Sequence, residues 1–183
     1  MADVIAETER LILRSWREED RAVYLATCNT PSVTAHLDGP AKVADIDAAL
    51  ARIAKSQAER GFSFWAVERK ADGEFLGYCG LRICDDLQRP VNGDVEIGWR
   101  LREDAWGQGY AREAAQAALD WAWANLEAQR VVSFTVPANE PSWRLMERLG
   151  MTRRPDLDFA HPRFAPDHPL SAHITYVMER PGS

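Results

Sequence analysis

Residues Glu96–Arg112 read EIGWRLREDAWGQGYAR, and the change of period inside them decides the fold. Glu96 to Leu101 alternate as a strand does, whereas Ala114, Ala118, Trp121 or Ala122, and Leu126 fall on one side of a helix running from Gly109 to Asn125. Between the two lies a loop carrying Gly107 and Gly109. Glycine lets a ligand approach the main chain, and a helix start presents unpaired N–H groups at the positive end of its dipole. Together they form an anion cradle. Spacing sets it apart from two better-known cradles: a dinucleotide fingerprint needs glycine three residues after Gly109, where Arg112 stands, and no G-x-x-x-x-G-K-[ST] occurs. The blander alternative is a loop made glycine-rich only for tight strand-to-helix packing.

Before this stretch, Thr8–Trp16 alternates as a first strand, and Glu18-Glu19-Asp20 opens a short helix through Leu25. Val43, Ile46, Leu50 and Ile53 then give an amphipathic helix that Gly61 ends. Three strands follow in FSFWAVER, EFLGYCGLRI and DVEIGWRL, joined by Asp72-Gly73 and by the turn stretch Asp85–Gly93. They predict an antiparallel meander. After the central helix come the strand Val131–Val136 and a short helix with Pro141 in its first turn and Gly150 past its end. Two strands, Met151–Asp158 and His173–Glu179, close the chain around HPRFAPDHPL. The predicted class is α+β, or α/β in looser schemes: one domain over residues 1–183, with a mixed, mostly antiparallel sheet of about six to seven strands flanked by helices.

A second motif runs from Asn139 to Met151, NEPSWRLMERLGM. With it, and with EIGWRL and WGQGYA followed by Arg112-Glu113-Ala114, the chain resembles the GNAT N-acetyltransferase superfamily, and within it the RimJ/RimL-type branch. The opening TERLILR and the element order extend the resemblance along nearly the whole chain. The superfamily pattern [RQ]-x-x-G-x-[GA] maps onto Trp106–Ala111, with Trp106 where Arg or Gln is usual; one phosphate contact is thereby removed. The resemblance implies an acyl-CoA co-substrate, acetyl-CoA, and a primary amine as acceptor. It further implies that main-chain N–H groups of Gly107, Gln108, Gly109, Tyr110, Ala111 and Arg112 face the pyrophosphate. Trp99, Arg100 and Leu101 would pair with the pantetheine amides and leave an N–H near the thioester carbonyl. Asn139 and Ser142 would flank the far side of the pantetheine and the sulfur.

The family's usual route is direct attack within a ternary complex. An α-amine is about one-tenth neutral at pH 7 and a lysine neutral in roughly one molecule per 2,500, deficits of about 1.3 and about 4.6 kcal/mol. An α-amine therefore needs only a modest base. Glu96 is the candidate base, acting directly or through water, because it begins the strand that ends at the thioester. The alternative is an exposed carboxylate paired with a neighbouring arginine. Ser142 is the candidate proton donor to the thiolate, its rival role being to stabilise the first turn of the Pro141 helix. Tyr110 is a weaker candidate acid. Members of this branch acetylate the N-terminal amines of ribosomal or other proteins, or small-molecule amines such as antibiotics and polyamines; a non-catalytic CoA-binding sensor is the third reading.

Over 183 residues, 46% hydrophobic and 27% charged, the chain is of ordinary globular composition. Its net charge of −6 argues against a protein whose whole surface attracts nucleic acid or anionic lipid. That charge is uneven: residues 1–98 carry 12 basic and 17 acidic groups, residues 99–154 carry 8 and 7, and residues 155–183 carry 2 and 4. The acidic flanks suggest a cationic acceptor. Cys28, Cys79 and Cys84 are odd in number and scattered, so neither a disulfide scaffold nor a zinc clip is expected. The spacing of His161, His168 and His173 matches no zinc pattern, and the loop that holds them reads instead as acceptor-side. With no leader-like start and no run of about 18 apolar residues, a cytoplasmic protein is expected, without membrane partners. Among seven Trp, Trp16, Trp65, Trp121 and Trp123 are expected in the core, and Trp99, Trp106 and Trp143 beside the cofactor segments. A homodimer is compatible with the sequence, exposed Trp then serving as interface.

Overall fold

The computed structural model describes residues 2–85 and 89–182, so part of the turn stretch Asp85–Gly93 lies outside the described residues. Strand, loop and helix appear where the period changes: β5 (Val95–Leu101), a 3-10 turn (Glu103–Ala105) and α3 (Tyr110–Asn125). Before them come β1 (Val4–Glu7), β2 (Leu11–Arg14), α1 (Asp20–Thr27), α2 (Val43–Arg60), β3 (Phe64–Arg69) and β4 (Phe75–Ile83). After them come β6 (Arg130–Thr135), α4 (Glu140–Arg148), β7 (Thr152–Arg153), β8 (Phe159–Ala160) and β9 (Ala172–Glu179).

The sheet runs β1-β2-β3-β4-β5-β6-β9-β7, with β8 on β9, and every pairing is antiparallel except β5 with β6. Nine strands stand where six to seven were expected, for two reasons. The short β1 precedes the expected first strand, which itself contracts to Leu11–Arg14. The expected strand Met151–Asp158 breaks in two, because Pro155 has no N–H to give a ladder and starts the 3-10 turn Pro155–Leu157.

Alternation sorts the side chains onto two faces. On one, Leu11, Leu13, Trp65, Val67, Cys79, Leu81, Val95, Ile97 and Val131 pack under the alanines of α3 and under Leu145, Met146 and Leu149 of α4. Ala114, Ala115, Ala118 and Ala122 are fully buried; such small side chains let α3 sit close to the strands. On the other face α1 and α2 cover Ala66 and Phe75, with Tyr24, Cys28 and Ile46. The expected apolar side of α2 is only partly used: Ile46 is its buried residue, while Val43 is exposed. A third cluster, Cys84, Val91, Val132, Leu157 and Val177, lies under the C-terminal segments on that same second face. Trp65 is fully buried, and Trp16, Trp121 and Trp123 pack half-buried against the core. The three cysteines are free and buried. Among the described residues no helix is long and apolar enough to cross a membrane, and no group of three His, Cys, Asp or Glu could hold a metal.

The second face also holds a buried charge network. Arg14, 2% exposed, donates to both oxygens of Asp20 (2.6 and 2.9 Å) and to Glu68 (2.7 Å), and Arg17 adds a second contact to Glu68 (2.8 Å). Asp20 also accepts the Arg17 main-chain N–H at 2.7 Å, so one carboxylate starts α1 and ties it to β2. Taking away one partner leaves the guanidinium buried and under-compensated, which costs about 3–5 kcal/mol. Asp20→Asn is expected to lose that much in urea unfolding at pH 7, with an unchanged m-value.

Candidate active site

β5 and β6 pair only at Val95 with Val131 and Glu96 with Val132, although β5 continues to Leu101 and β6 to Thr135. Beyond those pairs the strands part and leave a notch. The Ser133 hydroxyl donates to the Ile97 carbonyl at 2.9 Å near its apex. On its other edge β5 stays paired with β4 out to Leu101 opposite Gly77. Arg102 N–H continues that ladder to Leu76, while the Ile97 carbonyl faces β6. Alternation therefore turns the N–H and C=O of Trp99 into the notch. The Trp106 indole donates to the Leu101 carbonyl at 2.9 Å, closing the far end. Trp99 is half-buried against the core, whereas Trp106 is 48% exposed.

The notch leads to the cradle. Gly107 and Gly109 have φ of +71° and +83°, a left-handed conformation that side chains resist. Tight packing is not what demands glycine: a Cβ on Gly107 would have nothing within 4 Å, and one on Gly109 would meet only the Arg10 guanidinium tip, at 3.3 Å. The backbone turn demands it. Gly109 is the N-cap of α3, and the first intrahelical bond runs from Glu113 N–H to its carbonyl at 3.1 Å. The N–H groups of Tyr110, Ala111 and Arg112 precede that bond and point out of the helix end. Tyr110 is itself buried. An open strand edge running into an unpaired helix start fits a ligand with amides at one end and phosphates at the other.

Arg10 organises this cradle from about a hundred residues away. It donates to the Gln108 carbonyl (3.0 Å) and to Glu113 (2.7 Å), and its guanidinium lies 4.5 Å from the centre of the Tyr110 ring. Glu113 also accepts from the Arg10 main-chain N–H (2.9 Å) and the Thr8 hydroxyl (2.5 Å). Burial alone would raise the Glu113 carboxyl; these donors more than offset it and hold it below its ordinary value. Nothing local in TERLILR announces a contact made across the fold.

Glu96, the second residue of β5, lies on the face opposite α3. It is buried rather than exposed: Arg82, its register partner on β4, donates to Oε2 at 2.6 Å, and the Cys84 thiol, kept neutral by burial, lies 3.7 Å from the same oxygen. Among the described residues Oε1 has no hydrogen-bond partner, and it lies 3.9 Å from where a Cβ on Gly98 would stand. The side chain of Arg100 points to this same face, and its main-chain N–H and C=O turn to β4, opposite Tyr78, so that the N–H and C=O facing the notch are those of Trp99.

Beyond β6, the Asn139 side-chain amide donates to the Thr135 hydroxyl at 2.9 Å. Asn139 is the N-cap of α4, yet no side chain caps that helix, and Ser142 contributes only its main-chain N–H, to the Asn139 carbonyl at 3.1 Å. The capping role considered for the Ser142 hydroxyl is therefore not realised. Trp143 donates to the Pro137 carbonyl at 3.0 Å, steadying the same turn. Asn139 and Ser142 thus stand at the exit of β6, across the notch from Trp99–Leu101.

The model of the acetyltransferase (GNAT) domain matches residues 10–152. The chain belongs to the GNAT acetyltransferase family, and is an N-acetyltransferase of it. It is 30% identical over 149 residues to p20 of Bacillus licheniformis, an uncharacterized N-acetyltransferase, covering 80% of this chain and 81% of that one. To the uncharacterized protein YkkB of Bacillus subtilis strain 168 it is 30% identical over 145 residues, 79% of this chain and 83% of YkkB. The crystal structure of an acetyltransferase from Agrobacterium tumefaciens str. C58 superposes with a TM-score of 0.77 at 27% identity, covering 95% of this chain and 93% of the other. Enzymes of this family use acetyl-CoA.

Two outcomes test the geometry. Gly109→Ala places a side chain at φ +83°, a strain of about 1–2 kcal/mol; the KM for acetyl-CoA should rise several-fold with a smaller change in kcat. Glu113 stabilises the fold through its depressed carboxyl, so that contribution is present at neutral pH and is lost as pH falls below the ordinary value of 4.5. Glu113→Gln should flatten the acid limb of stability measured by urea unfolding between pH 6 and pH 3.5.

Proposed function

We propose that residues 1–183 act as one acetyltransferase domain that takes acetyl-CoA into the β5–β6 notch and passes the acetyl group to a primary amine, foremost the N-terminal amine of a protein. The observation that carries this reading is the continuous track from the open β5 edge to the start of α3. Main-chain N–H groups of Gly107, Gln108, Gly109, Tyr110, Ala111 and Arg112 would hold the pyrophosphate, and the Trp99–Leu101 edge the pantetheine amides. The Trp99 N–H would meet the thioester oxygen as it gains charge, an interaction strengthened in a site that excludes water. Asn139 and Ser142 would bound the sulfur from the β6 side.

Transfer requires a C–N bond to form, the C–S bond to break, one proton to leave the amine and one to reach the sulfur. Glu96 accepts the amine proton through its uncommitted Oε1, directly or through one water, while Arg82 holds the other oxygen. Ser142, with a hydroxyl free of any capping bond, donates to the thiolate and regains its proton from solvent. Because an α-amine is short of its neutral form by only about 1.3 kcal/mol, a buried carboxylate of this kind is sufficient.

RimL, a ribosomal L7/L12 alpha-N-protein acetyltransferase, shares the fold with a TM-score of 0.76 at 16% identity, and a spermidine N-acetyltransferase from Vibrio cholerae shares it with a TM-score of 0.71 at 14%. One observation favours the second reading, a small-molecule amine: Arg163 of the C-terminal loop meets Asp38 of the α1–α2 connection at 3.2 Å, joining two loops over the acceptor face. Thiol release from acetyl-CoA, measured on parallel panels of N-terminal peptides and small amines, separates the two. Tight CoA binding without release on either panel would leave the sensor reading.

Glu96→Gln is expected to lower kcat about 10²–10⁴-fold, the usual worth of a general base, and to remove the acid limb of the kcat/KM profile. An unchanged profile removes Glu96 from the reaction. For Ser142→Ala the expectation is a lower kcat at unchanged KM for acetyl-CoA; an intact kcat would return Ser142 to a structural part.

A further inference from the structure

The arginines on the Glu96 face divide sharply by partner. Arg14 has Asp20 and Glu68, Arg17 has Glu68, and Arg82 has Glu96. Arg100 has no carboxylate within 4.0 Å among the described residues. Its Nη1 donates to the Tyr24 hydroxyl at 2.5 Å, and its guanidinium lies 5.9 Å from the Tyr24 ring centre and 5.6 Å from that of Tyr78. Its Nε is buried without a hydrogen-bond partner among the described residues. Burial pushes the Tyr24 phenol above its ordinary value, so Arg100 meets it as a neutral group.

A guanidinium removed from water recovers that loss only when its donors and its charge are both answered. The fold answers Arg14 with two carboxylates and leaves Arg100 facing phenols. Among the described residues no carboxylate supplies the missing charge, which an anionic ligand would. The direction of approach narrows its source. α3 fills the other face of β5, where Ile97 and Leu101 are buried, so an amine reaches the notch from the face that carries Glu96 and Arg100. The two flank Gly98, each two residues away, or about 7 Å along the strand. At Gly98 the missing side chain makes room for the Phe64 ring, 3.1 Å from where a Cβ would stand. Phe64 stacks on Tyr78 at 5.2 Å, and this apolar wall runs from Glu96 towards Arg100. The pyrophosphate cradle begins seven residues further on, at the start of a helix on the opposite face.

We infer that Arg100 is an anion site for the acceptor: the amine that is acetylated carries a carboxylate a few bonds away, as a free amino acid does, or a peptide whose first residue is acidic. The inference rests on the notch being the acyl-transfer site. It assigns the Arg100 side chain to acceptor selection, with the amine held near Glu96 and the carboxylate on the guanidinium. The net charge of −6 does not describe this face.

The test compares paired acceptors by thiol release from acetyl-CoA: amino acids against their α-amides, and short peptides beginning with Glu against the same peptides beginning with Gln. The wild-type protein should prefer the carboxylate member of at least one series by about 10- to 100-fold in kcat/KM, the worth of a charge-assisted hydrogen bond. The series that shows the preference identifies the source. In Arg100→Gln the members of each pair should come within about twofold of each other, while calorimetry gives an acetyl-CoA Kd within about twofold of wild type. Arg100→Lys, which keeps the charge without the planar fork, should retain part of the preference and guards against a folding failure of the glutamine variant. Equal use of both members by the wild type, or a preference that survives in Arg100→Gln, overturns the inference. So does a large loss of acetyl-CoA affinity, which would assign Arg100 to the phosphates instead. If no amine is turned over, the acyl-transfer reading fails separately. The anion site is then decided by calorimetry of the same carboxylates and amides on the CoA-bound protein, where equal binding refutes it.

Discussion

The whole site depends on β5 parting from β6 after two residue pairs. A strand edge left open inside a sheet carries main-chain groups that need partners, and such an opening persists only where its borders are pinned. Two hydrogen bonds and a strand ladder pin this one. Ser133 holds the Ile97 carbonyl near the apex, β4 keeps the opposite edge of β5 straight out to Leu101, and the Trp106 indole takes the Leu101 carbonyl at the far end. Each comes from a different part of the chain. The groups left over belong to Trp99, midway between the pins, and they point at the one side of β5 that no strand occupies.

The opening also divides the chemistry between the two faces of the sheet. α3 and α4 seal one face with alanine, leucine and methionine, so polar groups gather on the other. There Arg14, Asp20, Glu68, Arg82, Glu96 and Arg100 come from β2, α1, β3, β4 and β5. Most of these charges cancel within the fold. Arg100 is the exception: the six groups sum to zero, yet among the described residues it meets no carboxylate within 4.0 Å and faces the Tyr24 hydroxyl instead. The overall charge is a poor guide to a pocket built from five elements.

Some of this was legible in the residues themselves. The strand of EIGWRL and the helix after Gly109 were readable because each is set by a period of a few residues, and the Gly107–Gly109 turn because its conformation excludes other side chains. The α2 stop at Gly61 was readable for the same local reason, and Gly61 has a φ of +78°. The strand expected over Met151–Asp158 failed at Pro155, a local signal outweighed by the hydrophobic pattern around it. β1 escaped notice because four residues, VIAE, carry too little alternation to count.

Partnership across the fold was not legible. Glu96 was a plausible base in the sequence, but only the register of β4 against β5 shows that Arg82 holds one of its oxygens, the other having no hydrogen-bond partner among the described residues. Ser142 could have been a helix cap until the structure showed α4 without any side-chain cap. Arg10 carried no expected role, and Arg100 was expected to serve only as part of the strand that pairs with the pantetheine amides. The sequence by itself determined the order of elements, the glycine turn and the family likeness, because these rest on neighbours within a few residues. The tertiary structure alone decided which carboxylates are paired with arginine, which arginine has no such partner among the described residues, and which face of β5 lies away from α3. Those depend on contacts between residues as much as 125 positions apart, for which no local period exists.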